Sequence, residues 1–266
     1  MGISMKNKPD YANWITNKFL FALGGGAVVA ALLFTATFWL ADGYAVLSAR
    51  IVLAAAAMLG LVLFIYMCIA RRMLAYDGGG IQGKILDNVL DNLEWDGKGT
   101  FLDIGCGSGA MAIKAARRFP EARVVGVDYW GFVWDYAKGQ CEENARIERV
   151  AERVTFLQGD AAKLDFAEGT FDAVVSNFVF HEVRSQPDKV ALIREALRVL
   201  KPGGVFSIED IFFAKGLYGD FEKTVRELSG EVAAIVFVDT RKNDFVPAFL
   251  RTPLMAGTMG LIKGKK

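Results

Sequence analysis

Acidic residues and glycines stand together where a chain could hold a ligand. The stretch "LDIGCGSGA" sets Asp103 two places before Gly105, followed by Cys106, Gly107 and Gly109. Glycines at this spacing let a backbone turn approach a ligand closely at the start of a helix. Asp128 ends "ARVVGVD", where a carboxylate can accept hydrogen bonds from ribose hydroxyls, and Tyr129 and Trp130 follow it. "VVSNFVFHEVRS" carries Asn177, Glu182 and His181, the single histidine of 266 residues. The near-neutral intrinsic pKa of an imidazole suits a general base. Glu182 either orients the ring or points to solvent. Glu209 and Asp210, closing "VFSIED", are further candidate bases.

These residues need elements that bring them together. Apolar Ile81, Ile85, Leu86, Val89 and Leu93 recur at helical spacing, and "TFLDIG" then reads as a buried strand. Helices are expected over about Ala110–Phe119, Phe132–Ile147 and Asp188–Leu200, the last stopped by "KPGG". Strands "ARVVGVD", "RVTFLQGD", "FDAVVSN" and "VFSIEDIFF" alternate with them. Such repetition argues for one doubly wound, mostly parallel α/β sheet with helices on both faces. In sheets of this kind ligands bind beyond the carboxyl ends of the strands, where the residues above fall. The glycine pattern alone is weak, because Gly105, Gly107 and Ala110 also satisfy the dinucleotide fingerprint G-x-G-x-x-A. Two features favour another ligand: Asp103 precedes the glycines, where it can hold a cationic amino acid moiety, and "GDA" places Asp160 beside an adenine amino group.

In order and at fitting spacing, "FLDIGCGSG", "VVGVDYW", "VTFLQGDAAKLDF", "FDAVVSNFVFHEV" and "LRVLKPGGVFSIED" resemble the class I S-adenosylmethionine-dependent methyltransferases. The likeness is to the branch that includes the ubiquinone and menaquinone biosynthesis methyltransferases, and it covers about residues 81 to 211. It implies a Rossmann-like seven-stranded sheet of order 3-2-1-4-5-7-6 with strand 7 antiparallel. "EVAAIVFVD" and "PLMAGTMGLIKGKK" supply the last two strands. It also implies a cofactor cradle at the loop Gly105, Cys106, Gly107 and Gly109, with Asp103 near the methionine amino group, Asp128 on the ribose, and Asp160 with Ala161 at adenine. Asn177 is expected at the methionine end, and His181 near the acceptor pocket. The chain departs from the common pattern in "YWGFVWDYAKGQC". There Tyr129 or Trp130 is expected against the adenine ring, and Trp134, one turn from Trp130, packs the helix on the sheet or walls the pocket.

Residues 19–41 and 51–70 contain no charge, and each reaches the roughly 20 apolar residues that cross about 30 Å of hydrocarbon. The expected organisation is a cytoplasmic segment 1–18, a transmembrane hairpin 19–72 with a loop from Asp42 to Arg50, a glycine-rich linker 73–80, and a methyltransferase domain 81–266. Lys6, Lys8 and Lys18 before the first span, and Arg71 and Arg72 after the second, place both ends in the cytoplasm. Gly24, Gly25 and Gly26 are expected to pack against the Ala54–Ala57 run. The helix around Ile81–Leu93 and the basic end Lys263, Lys265 and Lys266 are expected either to lean on anionic headgroups or to stand in solvent.

An apolar share of 53% is high for a soluble protein, and the spans account for it. A net charge of +1 gives no reason to expect a nucleic-acid partner. Cys68, Cys106 and Cys141 have neither disulfide nor zinc-ligand spacing, and no metal is expected. The reading is a membrane-anchored methyltransferase acting on a small, hydrophobic or membrane-resident acceptor, lipid or quinone-like. A tethered cofactor-binding sensor, a methyltransferase of a soluble molecule and a nicotinamide-dependent oxidoreductase are the alternatives.

Overall fold

The computed structural model describes residues 8–77, 80–131 and 138–266. They fall into two compact units, residues 13–81 and a second made of the chain up to Ala12 with Gln82–Lys266.

The smaller unit is a pair of helices, α1 (Asn17–Ala36) and α2 (Tyr44–Leu74). Thr16 caps α1 by accepting a hydrogen bond from the Phe19 N–H. A single 3₁₀ turn, Thr37–Trp39, prolongs α1, and α1 buries no residue. Both helices are long and apolar enough to cross a membrane. The connection is shorter than the sequence implies: α2 begins at Tyr44, so Arg50 lies inside it. Arg50 is satisfied there, donating to Asp42 at 2.9 Å and to the Thr37 carbonyl at 3.1 Å. Helix packing also departs from expectation. Gly24 lies against Phe64 and Gly60 against Ala27, whereas Gly25 and Gly26 face open space. The Ala54–Ala57 run is thus not the partner of the glycine triplet.

The larger unit holds α3 (Ile81–Asp91, whose first residue belongs to the smaller unit), β1 (Gly99–Ile104), α4 (Ala110–Arg118), β2 (Ala122–Asp128) and α5 (Lys138–Ile147). There follow β3 (Val154–Gln158), β4 (Phe171–Asn177), α6 (Lys189–Val199), β5 (Leu200–Asp210), α7 (Lys215–Tyr218), α8 (Phe221–Leu228), β6 (Ala234–Val238) and β7 (Gly260–Lys265). The sheet order is β3-β2-β1-β4-β5-β7-β6, parallel except for β7, which runs antiparallel to β5 and β6. That is the class I methyltransferase topology the sequence resemblance implies. Asp188 caps α6 through the Val190 N–H, and Leu192, Ile193, Ala196 and Leu197 form its buried stripe. On that side of the sheet Phe212 stacks on Phe221 with centroids 4.0 Å apart, within a core that includes Phe206, Ile208 and Ile262.

Three local expectations change. The "KPGG" segment is a bulge within β5 rather than a stop before it, since the register jumps from Phe171 opposite Leu200 to Ala173 opposite Val205. The apolar face of α3 is buried at Ile81, Ile85, Leu86 and Val89, so it is not free to lie on headgroups. Lys263 and Lys266 belong to or adjoin β7; Lys263 pairs with Glu94 at 3.0 Å and Lys266 donates to the Leu200 carbonyl at 2.9 Å, so the basic end is not a loose tail.

A Cβ at Gly60 would sit 2.9 Å from that of Ala27. Gly60→Leu is expected to part the two helices at a cost of roughly 1–3 kcal/mol, measured as a lower denaturant midpoint for the hairpin in detergent micelles.

Candidate active site

The site begins where β1 leaves the sheet. Gly105 and Cys106 both donate to the Val127 carbonyl, at 2.7 and 3.1 Å, and Gly109 donates to the Cys106 carbonyl at 2.7 Å. Gly105, Gly107 and Gly109 adopt φ of 76°, 55° and 84°, a region open to glycine at little cost. Space is also lacking, because a Cβ at Gly105 would overlap Val179 and one at Gly109 would come within 2.9 Å of Phe156. The Gly107 carbonyl accepts from Trp130 Nε1 at 2.9 Å and from Cys141 Sγ at 3.0 Å. The Cys106 side chain is buried, and burial with the neighbouring Cys141 thiol pushes its pKa well up. Any ligand contact at Cys106 is therefore made by its backbone.

Buried carboxyls surround this turn. Asp103 is 1% exposed, and its Oδ2 has no hydrogen-bond partner among the described residues. Burial pushes its pKa up to about 8 against the pull of the Ala112 N–H, with the charge of Asp128 adding to the rise. Asp128 is raised by burial, and it accepts from the Gly107 N–H at 2.8 Å and the Trp130 N–H at 2.7 Å. It thus braces the turn. Trp130 holds its own unusual φ of 46° through these bonds, while Tyr129 is 67% exposed. Asp160 accepts from the Ala162 N–H at 2.8 Å and from Ser185 Oγ at 3.0 Å, fixing the loop that carries Ala161. Trp134 lies outside the described residues.

His181 sits in a short turn, Phe180–Glu182, after β4. Its Nδ1 lies 2.6 Å from Oδ1 of the buried Asp210, whose Oδ2 accepts the His181 backbone N–H at 3.2 Å. A carboxylate on Nδ1 makes that nitrogen the donor and leaves the Nε2 lone pair outward. Burial pulls the imidazole pKa down, yet the hydrogen bond and charge of Asp210, helped by Glu182, outweigh it and hold it above its ordinary value. Glu182 stands 3.7 Å from Nε2, beyond hydrogen-bond reach. Tyr218, buried near Asp210, has its hydroxyl pKa raised by burial and by that charge.

Adjacent residues on a strand face opposite sides of a sheet. Glu209 is therefore turned away from the face on which Asp210 meets His181. It lies in register with Asn177 of β4, and both of its oxygens, like Asn177 Oδ1, lack partners among the described residues. Burial raises the Glu209 pKa to about 7, while Thr240 and Asn88 pull it back and Asp210 adds to it. The sequence offered Glu209 and Asp210 as equivalent bases; the pleat separates them, and the pairing of Asp210 with His181 has no signal in the sequence beyond the two strand ends. The described residues hold no group of three metal-ligating side chains.

Residues 101–204 match a family model described as Methyltransferase domain. A 27-O-demethylrifamycin SV methyltransferase of Amycolatopsis mediterranei is 30% identical over 159 residues, 59% of this chain and 55% of that one. The demethylmenaquinone methyltransferase of Lactococcus lactis is 33% identical over 106 residues, 40% of this chain and 39% of that one. The ubiquinone/menaquinone biosynthesis C-methyltransferase of Dinoroseobacter shibae is 32% identical over 126 residues, 47% and 48% of the two chains. The chain spans about half the length of these relatives. It carries an S-adenosylmethionine-dependent methyltransferase domain of class I. The residues present fit that cofactor, since a buried carboxyl with an oxygen that lacks a partner among the described residues complements an ammonium group.

Two outcomes test this geometry. Gly105→Ala combines a strained φ with overlap on Val179, and is expected to cost more than about 2 kcal/mol and to abolish S-adenosylhomocysteine binding, read by calorimetry. Glu209 is held neutral in the fold up to about pH 7, whereas the unfolded chain ionises it near 4.5. Stability therefore falls as pH rises between these values, and Glu209→Gln is expected to flatten that fall by a few kcal/mol in denaturant titrations from pH 4.5 to 8.

Proposed function

We propose that this chain is a membrane-anchored methyltransferase that transfers a methyl group to a small hydrophobic or membrane-resident acceptor, lipid or quinone-like, with His181 accepting the proton the acceptor gives up. The observation that carries this is the His181–Asp210 pair at the carboxyl ends of β4 and β5, the same end of the sheet as the glycine turn. The cofactor, when bound, supplies an electrophilic methyl group on a sulfonium. Asp103, Asn177 and the backbone of Gly105, Cys106, Gly107 and Gly109 would hold its methionine end. Asp128 would take the ribose and Asp160 and Ala161 the adenine, with Tyr129 or Trp130 against its ring.

His181 Nε2 takes the proton of an acceptor hydroxyl or activated carbon, and Asp210 keeps the ring in the productive tautomer and stabilises the imidazolium. Glu182, partly exposed beside the ring, adds negative potential. The reading of the acceptor is supported by the two apolar helices and by relatives named for quinone precursors. Anchoring confines a site to the layer where such an acceptor is concentrated. Basic residues flanking both helices support a cytoplasmic side for the termini and the catalytic domain, residues 81–266.

Membranes bearing the chain, given methyl-labelled S-adenosylmethionine, are expected to yield label in the organic phase. His181→Ala should lower kcat by about 10²-fold or more while leaving S-adenosylhomocysteine affinity nearly unchanged. Label confined to the aqueous phase would overturn the membrane acceptor, and tight cofactor binding without any product would favour a sensor. The base must be neutral to act, so activity should climb with pH through a pKa above 6.5, and Asp210→Asn should move that limb to lower pH.

A further inference from the structure

The glycine turn is fastened from outside by a part of the chain that no methyltransferase motif contains. Residues 8–12 belong to the same compact unit as the sheet, although nearly seventy residues separate them from Gln82 along the chain. The side chain of Asn144, on α5 and 1% exposed, accepts the Asp10 N–H at 2.8 Å through Oδ1. Its Nδ2 donates to the Asp10 carbonyl at 2.8 Å and to the Ser108 carbonyl at 3.0 Å. One buried amide thus clamps both backbone groups of Asp10 as a neighbouring strand would, and joins them to the cofactor loop. Ser108 answers from the loop side, donating its hydroxyl to the Tyr11 carbonyl at 2.8 Å. Tyr11 is itself buried, 6% exposed, with its hydroxyl 3.4 Å from Glu148.

The loop needs such a restraint. Three of its five residues are glycines at positive φ, the least costly backbone to distort, and Ser108 is the residue between the last two. The inner side of the turn is held by Val127 and Asp128, whereas Ser108 is held by the strap and Asn144. We propose that Asp10 and Tyr11, with Asn144 and Ser108, form a positioning strap that holds the Gly105–Gly109 turn in its cofactor-binding shape. The strap rests on the reading of this turn as the cofactor cradle, and it acts on affinity for the cofactor rather than on proton transfer at His181. Only Asn13 to Thr16 separate it from α1, so the peptide that enters the hairpin is also the peptide that sets the cofactor loop.

The full chain in detergent micelles or nanodiscs tests this by calorimetric titration with S-adenosylhomocysteine. Asn144→Asp removes the two Nδ2 donors and sets a charge against two carbonyls, Asp10→Pro removes the strap N–H, and Ser108→Ala removes the tie to Tyr11. Asn144→Asp and Asp10→Pro are expected to weaken binding about tenfold or more, and Ser108→Ala several-fold. In each, the KM for S-adenosylmethionine should rise with kcat retained, a split that general loosening of the fold does not produce. Unchanged affinity in the folded variants would overturn the strap. Should Asn144→Asp fail to fold, the two milder variants decide in the same way. A wild-type chain that binds no S-adenosylhomocysteine would instead overturn the cofactor reading on which the strap rests.

Discussion

The turn from Ile104 to Ala110 is the constraint on which the rest of the molecule depends. β1 is central and buried, and the chain must leave it, reverse and enter α4 within a few residues while keeping its backbone open to a ligand. Only residues without a Cβ satisfy both the positive φ and the closeness of Val179 and Phe156. Such a turn has little stiffness of its own, so its surroundings supply it. Val127 accepts two N–H groups from one side, Asp128 a third, and Trp130, Cys141 and Asn144 draw its outer carbonyls into fixed directions.

The price of placing function at the strand ends is a set of desolvated carboxyls, and each is handled differently. Asp128 receives two backbone N–H groups and Asp210 an imidazole and two N–H groups. Asp103 and Glu209 keep oxygens without partners among the described residues, and both are driven towards the neutral form by burial. Burying a carboxyl unpaired is costly unless a cation or a donor arrives. The two unpaired groups lie on one face of the sheet, since Asp103 is opposite Val175 and Glu209 is opposite Asn177, two places further along β4. Asp210 meets its partner on the other face. One face thus carries the two carboxyls that burial drives towards the neutral form, and the other a carboxylate paired with an imidazole.

What could be read from the sequence follows the same physics. Strand order, the glycine turn and the position of His181 come from periodicity, from residues with unusual backbone needs and from a resemblance carried by five ordered motifs. Facing is harder. Glu209 and Asp210 are neighbours of like type, and only the pleat, set by the register of β5 on β4, decides which meets His181. Amphipathic α3 carries the same pattern whether its apolar side meets protein or lipid, and Lys263 and Lys266 look like a solvated tail until the first is seen to lie within β7 and the second to follow it directly. Asn144 gives no signal at all, because a polar residue in "EENARI" reads as helix surface until a distant backbone arrives to use both ends of its amide.

That distant backbone raises a question of entropy. Bringing residues 8–12 back to a domain that resumes at Gln82 closes a loop of some seventy residues, which for a flexible chain costs roughly 4 kcal/mol beyond a constant term. Most of the described intervening segment is helical. α1 and α2 pair along their lengths, and within their own unit Asn13 Nδ2 donates to the Arg71 carbonyl at 2.9 Å while the Arg71 guanidinium donates to the Ile15 carbonyl. The two helices of the hairpin themselves bring Arg71 back beside Asn13 and Ile15, so helix pairing within this unit supplies part of the closure that the strap would otherwise have to supply alone.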